Sequence, residues 1–155
     1  MQAFPAPTPL ADRPQERAVR IRLLGRLLVE FDGGELGPRD FGGIKPKQVF
    51  EILALRRGRA VAKDQLADLL WGEQLPRNVS ATLETYVSNV RGAFRPSRIG
   101  HELVITDRDA YRLDARLCAV DVDELEELAA HREGGHPVRA SLEAALALVR
   151  GELLE

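Results

Sequence analysis

Residues 80–94 carry one apolar stripe at helical spacing, and this stripe limits the fold more than any other feature of the sequence. The stripe falls at positions i, i+4, i+7 and i+11 and consists of Leu83, Val87, Val90 and Phe94. A helix patterned in this way buries one face and leaves the other to solvent. Ser80 is the predicted N-cap of the helix, and Pro96 is predicted to end it.

Two shorter helices precede this one and a hairpin follows it. Residues 46–57 and 63–70 show apolar positions at helical spacing, and a polar loop over 73–79 separates the second helix from the third. Residues 103–113 contain two short apolar runs around Asp107-Arg108-Asp109-Ala110. This pattern predicts a β-hairpin.

The N-terminal part predicts a small antiparallel sheet. Residues 19–23 alternate between apolar and basic side chains, residues 27–31 form a second strand, and Asp32-Gly33-Gly34 is a turn signal between strands. A third strand near 35–41 would lie at an edge because it contains Pro38. Residues 1–17 are rich in proline, and we expect them to form a flexible tail.

Residues 117–155 differ from the rest in pattern and in charge. They contain two amphipathic segments separated by Gly134-Gly135-His136-Pro137, which predicts an antiparallel helical hairpin. Residues 39–116 have 14 Lys and Arg against 10 Asp and Glu (+4), residues 117–155 have 3 against 9 (−6), and residues 1–38 have 5 of each, which together give −2. We therefore predict a tail over 1–17, one domain over 18–116 and a second helical unit over 117–155.

The order of elements predicts an α+β fold of the winged helix-turn-helix type. An N-terminal sheet precedes three helices, of which the last two form the helix-turn-helix, and the hairpin is the wing. The polar face of the third helix has short side chains and one arginine that can reach base edges in the major groove, namely Thr82, Thr85, Ser88, Asn89 and Arg91. Periodicity alone favours the simpler interpretation of a solvated helix face.

Other classes of function have little support in the sequence. Cys118 is the only cysteine, which excludes an internal disulfide, and the three histidines have no zinc-site spacing. No nucleotide-binding loop or catalytic signature is present, and no apolar run is long enough to cross a bilayer. We expect no enzyme activity, no cofactor or metal, and no membrane partner.

Several motifs, in order, resemble the antibiotic-regulatory-protein family of bacterial activators, whose winged helix is similar to that of OmpR-type regulators. The resemblance runs from about residue 19 to the end of the chain. It rests on residues 45–48, 61–73, 81–91, 110–113, 120–125 and 144–152.

The resemblance implies a cytoplasmic, nucleoid-associated activator that binds direct repeats in promoter DNA. Bases would be read by Thr82, Thr85, Ser88 and Asn89. Phosphates would be held by Lys45, Lys47, Arg91, Arg95 and Arg108, with Tyr86 and Tyr111 also at the DNA. The loop after the second helix would contact RNA polymerase through Trp71, Glu73 and Arg77, and the helical unit would be the start of a tetratricopeptide-like activation domain.

Structural interpretations remain open beside these roles. Lys45 and Lys47 can equally be surface lysines, and Trp71 and Tyr111 can be packing residues. The family usually has arginine at position 89, a basic residue at 92, arginine at 107 and glycine at 110, where this chain has Asn89, Gly92, Asp107 and Ala110. The alternative function is therefore a degenerate winged helix that binds proteins without strong DNA binding.

The helical hairpin over 117–155 is too small to bury its own apolar faces. A tetratricopeptide-like unit needs several stacked helix pairs, and only one pair is present here. We expect the hairpin to pack on the winged helix, to pair with a second copy in a homodimer, or to belong to a longer chain.

Overall fold

The computed structural model describes residues 17–151. The strands of this part are β1 (Val19–Arg22), β2 (Leu28–Phe31), β3 (Gly34–Leu36), β4 (Val61–Ala62), β5 (Val104–Asp107), β6 (Ala110–Leu113), β7 (Cys118–Val120), β8 (Arg132–Glu133) and β9 (His136–Pro137). Its helices are α1 (Ile44–Leu55), α2 (Lys63–Trp71), α3 (Val79–Ala93), α4 (Ile99–Leu103), α5 (Asp121–Ala130) and α6 (Arg139–Leu148). The predicted tail over 1–17 lies, except for Arg17, outside the described residues.

The predicted winged helix is confirmed, and its centre is the buried stripe of α3. Leu83, Val87, Val90 and Phe94 are each at most 1% exposed. The Phe94 ring lies 5.2 Å from the Phe31 ring of β2 and 6.1 Å from the Phe50 ring of α1. The third helix is thus packed against both the first helix and the N-terminal sheet.

The N-terminal sheet has the order β3-β2-β1-β7 and is mixed, whereas the sequence predicted an antiparallel sheet. β1 pairs antiparallel with β2, as predicted, and parallel with β7. Cys118 and Val120 of β7 are buried, so residues assigned by sequence to the helical unit complete the sheet of the winged helix. A three-residue strand is too short to show a period in the sequence.

The wing is a three-stranded sheet of order β4-β6-β5, of which the sequence predicted only the hairpin β5–β6. The short strand β4 pairs with β6 through Val61 and Ala62. The backbone N–H of Lys63, at the start of α2, donates to the carbonyl of Asp109 in the wing turn at 2.7 Å. The wing therefore continues directly into the helix-turn-helix instead of projecting alone.

Two local predictions around α3 require correction. The N-cap is Asn78, whose side chain accepts a hydrogen bond from the Ala81 N–H at 3.0 Å, while Ser80 lies inside the first turn. Asn and Ser are similar N-cap residues, so composition could not distinguish the two positions. The segment after Pro96 contains the short helix α4, which the sequence did not indicate.

The helical hairpin of α5 and α6 packs on the winged helix, which was one of the three expectations for it. The buried Asp121 carboxylate accepts hydrogen bonds from the backbone N–H groups of Leu23 at 2.9 Å and Leu24 at 3.1 Å. Arg57, just past the end of α1, pairs with Asp123 at 3.0 Å and with Glu126 at 2.5 Å. The outer face of α6 stays exposed, with Leu146 73% accessible.

No helix within residues 17–151 combines the length and the apolar character that a bilayer crossing requires.

Replacing Gly92 or Gly58 by alanine should change the stability of the domain in opposite directions. Gly92 lies inside α3, and a Cβ there would have no neighbour within 4 Å; Gly58 has φ +84° and its Cβ would lie 2.8 Å from the Cβ of Ala115. Gly92→Ala should raise the free energy of unfolding by about 1 kcal/mol. Gly58→Ala should lower it by at least about 1 kcal/mol, because alanine is strained at that φ. Urea unfolding of both variants measures the two changes, and equal signs would contradict this account.

Candidate nucleic-acid interface

The exposed face of α3 presents several polar side chains. Thr85, Ser88 and Asn89 are exposed and Thr82 is half-buried, so these side chains lie on the helix as the sequence predicted. The Thr82 and Thr85 hydroxyls donate to the carbonyls of Asn78 at 2.8 Å and Ala81 at 3.0 Å. Each hydroxyl keeps its lone pairs as acceptors, which suits donors such as base amino groups.

Tyr86 lies on a different side of α3, towards the loop over 72–78. Its ring is 5.9 Å from the Trp71 ring at an interplanar angle of 36°, and both residues are half-buried. Glu73 and Arg77 on this loop are exposed, and Leu75 is 53% exposed. The structure thus places Trp71 and Tyr86 in packing positions and leaves a mixed polar and apolar loop surface open.

Arg91 is directed into the protein instead of towards a ligand. Its guanidinium donates to the carbonyl of Val104 at 3.2 and 2.7 Å and to the hydroxyl of Thr106 at 2.9 Å. These bonds join the last turn of α3 to strand β5 of the wing. Sequence reasoning assigned Arg91 to a phosphate and missed this role, because no sequence pattern indicates which strand will lie beside a helix.

The wing turn presents Arg108 between two acidic residues. Asp107, Arg108 and Asp109 are all exposed, and Arg108 has φ 50° in the left-handed region. No ion pair in the described part of the chain engages the Arg108 guanidinium. Arg108 is therefore an exposed cation that the wing turn offers to an anionic partner, and the carboxylates of Asp107 and Asp109 weaken its attraction for such a partner.

Lys45 and Lys47 have structural partners. The Lys45 ammonium donates to the Leu70 carbonyl at the end of α2, and Lys47 pairs with the buried Glu51 at 3.1 Å. Burial raises the pKa of Glu51, and the neighbouring Lys47 ammonium opposes that rise. The prediction that both lysines hold phosphates is not supported by these contacts, which favour the structural alternative.

Tyr111 is a core residue, only 2% exposed. This burial favours the packing alternative over its predicted place at the DNA. The Lys63 ammonium lies 5.6 Å from the centre of its ring. The ring thus packs beside the ammonium of Lys63, a residue to which the sequence assigned no role.

Glu84 and Lys63 form a charged pair beside the predicted base-reading residues. Lys63 reaches Glu84 Oε1 at 3.4 Å and the Ser80 hydroxyl at 3.2 Å. The Glu84 side chain remains 62% exposed on α3. Helical spacing places Glu84 one turn before Ser88, so the sequence was enough to predict where Glu84 lies. The sequence did not indicate that Lys63 of α2 would be its partner.

Three arginines and a histidine border the C-terminal end of α3. Arg91, Arg95, Arg98 and His101 surround an open cavity of about 720 Å³ together with Pro96 and Ser97. Arg95, Arg98 and His101 are exposed, and no acidic side chain lines the cavity. Sequence reasoning found Arg95 and missed Arg98 and His101, because α4 brings them to this place.

The shifted pKa values of Asp114 and Cys118 have structural causes. Two side-chain bonds and a backbone bond from Arg116 hold the pKa of Asp114 at about 2. Burial raises the pKa of the Cys118 thiol to about 11, which keeps it protonated. Within residues 17–151, no three His, Cys, Asp or Glu side chains are grouped as metal ligands would be.

Comparisons with known proteins agree with this architecture. Residues 44–113 match the family described as transcriptional regulatory protein, C terminal. The chain is similar to the regulatory protein DnrI of Streptomyces peucetius (35% identical over 117 residues, 72% of this chain and 42% of that protein). It is also similar to the regulatory protein AfsR of Streptomyces coelicolor (27% identical over 151 residues, 93% of this chain and 14% of that protein).

A solved structure has a similar fold. Mycobacterium tuberculosis EmbR in complex with a low affinity phosphopeptide gives a TM-score of 0.63 at 28% identity, covering 90% of this chain and 38% of that one. The chain spans less than half the length of each of these three relatives.

Arg91 and Arg95 form a matched pair for testing how the wing is held. Arg91→Met removes the charged hydrogen bonds to β5, whereas Arg95→Met removes the same charge from an exposed position. Bonds to charged groups contribute about 1.5–3 kcal/mol, so amide hydrogen exchange in β5 and β6 should accelerate about tenfold or more in Arg91→Met. Exchange in Arg95→Met should match the parent protein. Equal exchange in the two variants would show that Arg91 does not hold the wing.

Proposed function

We propose that this chain, whose residues 44–113 match the family described as transcriptional regulatory protein, C terminal, and which is similar to DnrI, is an activator of the antibiotic-regulatory-protein kind that binds direct repeats in promoter DNA and contacts RNA polymerase. The observation that carries the proposal is the exposed face of α3, with the wing bonded beside it through Arg91. A helix held in this way can enter the major groove while the wing reaches the adjacent groove.

Sequence would be read by the short polar side chains on α3. Asn89 can form a bidentate pair with adenine, and Thr85 and Ser88 can accept from base amino groups at close approach. All three are exposed. The lack of bulk at Gly92, whose Cβ position is open, lets the DNA backbone approach the last turn of α3 closely.

Phosphates would be held at the two ends of the recognition surface. Arg108 serves this purpose on the wing, and the cluster of Arg95, Arg98 and His101 serves it beyond α3. Guanidinium groups bind phosphate oxygens through paired hydrogen bonds. Since Lys45, Lys47 and Arg91 are engaged inside the protein, the number of phosphate contacts is small, and the salt dependence of binding should be shallow.

RNA polymerase would be contacted by the loop over 72–78. Glu73 and Arg77 are exposed there beside Leu75, and the Trp71 ring, at the start of the loop, lies 5.9 Å from the Tyr86 ring of α3. The protein would act in the cytoplasm at the nucleoid, and we propose no catalytic role for it.

A protein-interaction module is the second candidate. Glu84, Asp107 and Asp109 place acidic groups beside the α3 face and on the wing, where they repel phosphates. In that case the same surface would bind a partner protein and would show no preference for promoter repeats.

Fluorescence anisotropy with promoter duplexes tests the DNA-binding proposal. At about 0.15 M salt, direct repeats should be bound at least about a thousandfold more tightly than random duplex. Arg108→Gln should weaken binding to all sequences and reduce the salt slope by about 0.9, as expected for the loss of one phosphate contact. Arg139→Gln, which alters an exposed arginine on α6, is the control and should leave both values unchanged. If repeats and random duplex are bound equally, the activator proposal is wrong.

In vitro transcription separates polymerase contact from DNA binding. The double variant Glu73→Ala, Arg77→Ala should bind promoter DNA with the parent affinity but lose most transcription activation, because neither residue belongs to α3 or to the wing. Glu143→Ala on α6 is the surface control. Parent-level activation by the loop variant would remove polymerase contact from the proposal.

A further inference from the structure

We infer that Glu84 is a specificity-determining residue whose carboxylate accepts a hydrogen bond from a cytosine amino group in the major groove. The inference rests on the proposed DNA binding and adds a base preference to it. The observation behind it is that Lys63 holds the Glu84 carboxylate on the exposed part of α3. An acidic group at this place would otherwise only weaken binding to a polyanion.

The Glu84 carboxylate is held on one oxygen and open on the other. Lys63 at 3.4 Å and the Ser80 hydroxyl at 3.3 Å both contact Oε1. Within residues 17–151, Oε2 has no hydrogen-bond donor, and the side chain is 62% exposed. An anchored carboxylate with one outward oxygen is arranged to accept from an external donor.

Lys63 is itself fixed from several directions. Its side chain is only 18% exposed, its ammonium lies over the Tyr111 ring, and its backbone N–H donates to Asp109 in the wing turn. The lysine therefore acts as a positioning residue that sets the direction of Glu84. Its charge also reduces the repulsion between Glu84 and nearby phosphates.

The chemistry of the major groove selects the base. A carboxylate is an acceptor only, and the groove edge offers amino donors on cytosine N4 and adenine N6. Adenine presents its N7 acceptor beside that donor, and guanine and thymine present acceptors there. Cytosine is therefore the base that a carboxylate tolerates best, and all other bases and the phosphates are disfavoured. Glu84 would thus lower affinity for random DNA and raise discrimination.

Selection from a random-sequence duplex library tests the inference directly. The parent protein should enrich sites in which one position is cytosine, by about tenfold or more over the other bases. Glu84→Gln should shift that position towards adenine, because glutamine pairs with adenine N6 and N7, and Glu84→Ala should remove the preference. Both variants should bind random duplex more tightly. Glu35→Gln, an equal change of charge at exposed β3, should keep the parent base preferences.

Variants of Lys63 separate positioning from general stability. Lys63→Met should weaken the cytosine preference, and Lys63→Arg should largely restore it, whereas a purely structural lysine would change affinity without changing the base preferences.

The outcomes distinguish this inference from the proposed function. If the parent protein enriches no sequence, the proposed DNA-binding function fails. If it enriches repeats but Glu84→Gln and Glu84→Ala select the same bases as the parent, the assignment of Glu84 is wrong and the function stands.

Discussion

Burial of the α3 stripe is the constraint on which the rest of the structure depends. Phe94 contacts Phe31 of the sheet and Phe50 of α1, so one side chain joins the elements that make up the core. Because an α-helix has a fixed periodicity, burying Leu83, Val87 and Val90 also determines which side chains face outward. The same packing that stabilises the domain therefore places Thr85 and Asn89 at the surface.

Internal contacts engage several of the lysine and arginine side chains on and near α3. Lys45 binds a helix end, Lys47 neutralises a buried glutamate, and Arg91 holds the wing. Each contact makes the framework around α3 more rigid and reduces the charge available to a nucleic acid. Rigid positioning favours discrimination between sequences, whereas free surface charge favours affinity for any sequence. Under the proposed DNA binding, this charge distribution favours selectivity over general affinity.

The helical hairpin at the C-terminal end is joined to this framework through polar contacts. β7 extends the N-terminal sheet, the Asp121 carboxylate accepts from two backbone N–H groups of the β1–β2 connection, and Arg57 binds two acids of α5. Buried charged hydrogen bonds are specific in direction. These contacts fix the start of the hairpin on the N-terminal sheet and on the end of α1.

Local periodicity and turn chemistry were enough to predict helices α1 to α3, the hairpin of the wing, the buried stripe of α3 and the outward placement of Thr85, Ser88, Asn89 and Arg108. The partners of Arg91, Lys45, Lys47 and Lys63, the burial of Tyr111 and the pairing of β7 with β1 depend on tertiary packing. These features join residues from different elements, and no local pattern records which surfaces will meet. A cation is available to a ligand only where folding leaves it without an internal acceptor, and that is a property of the packed chain.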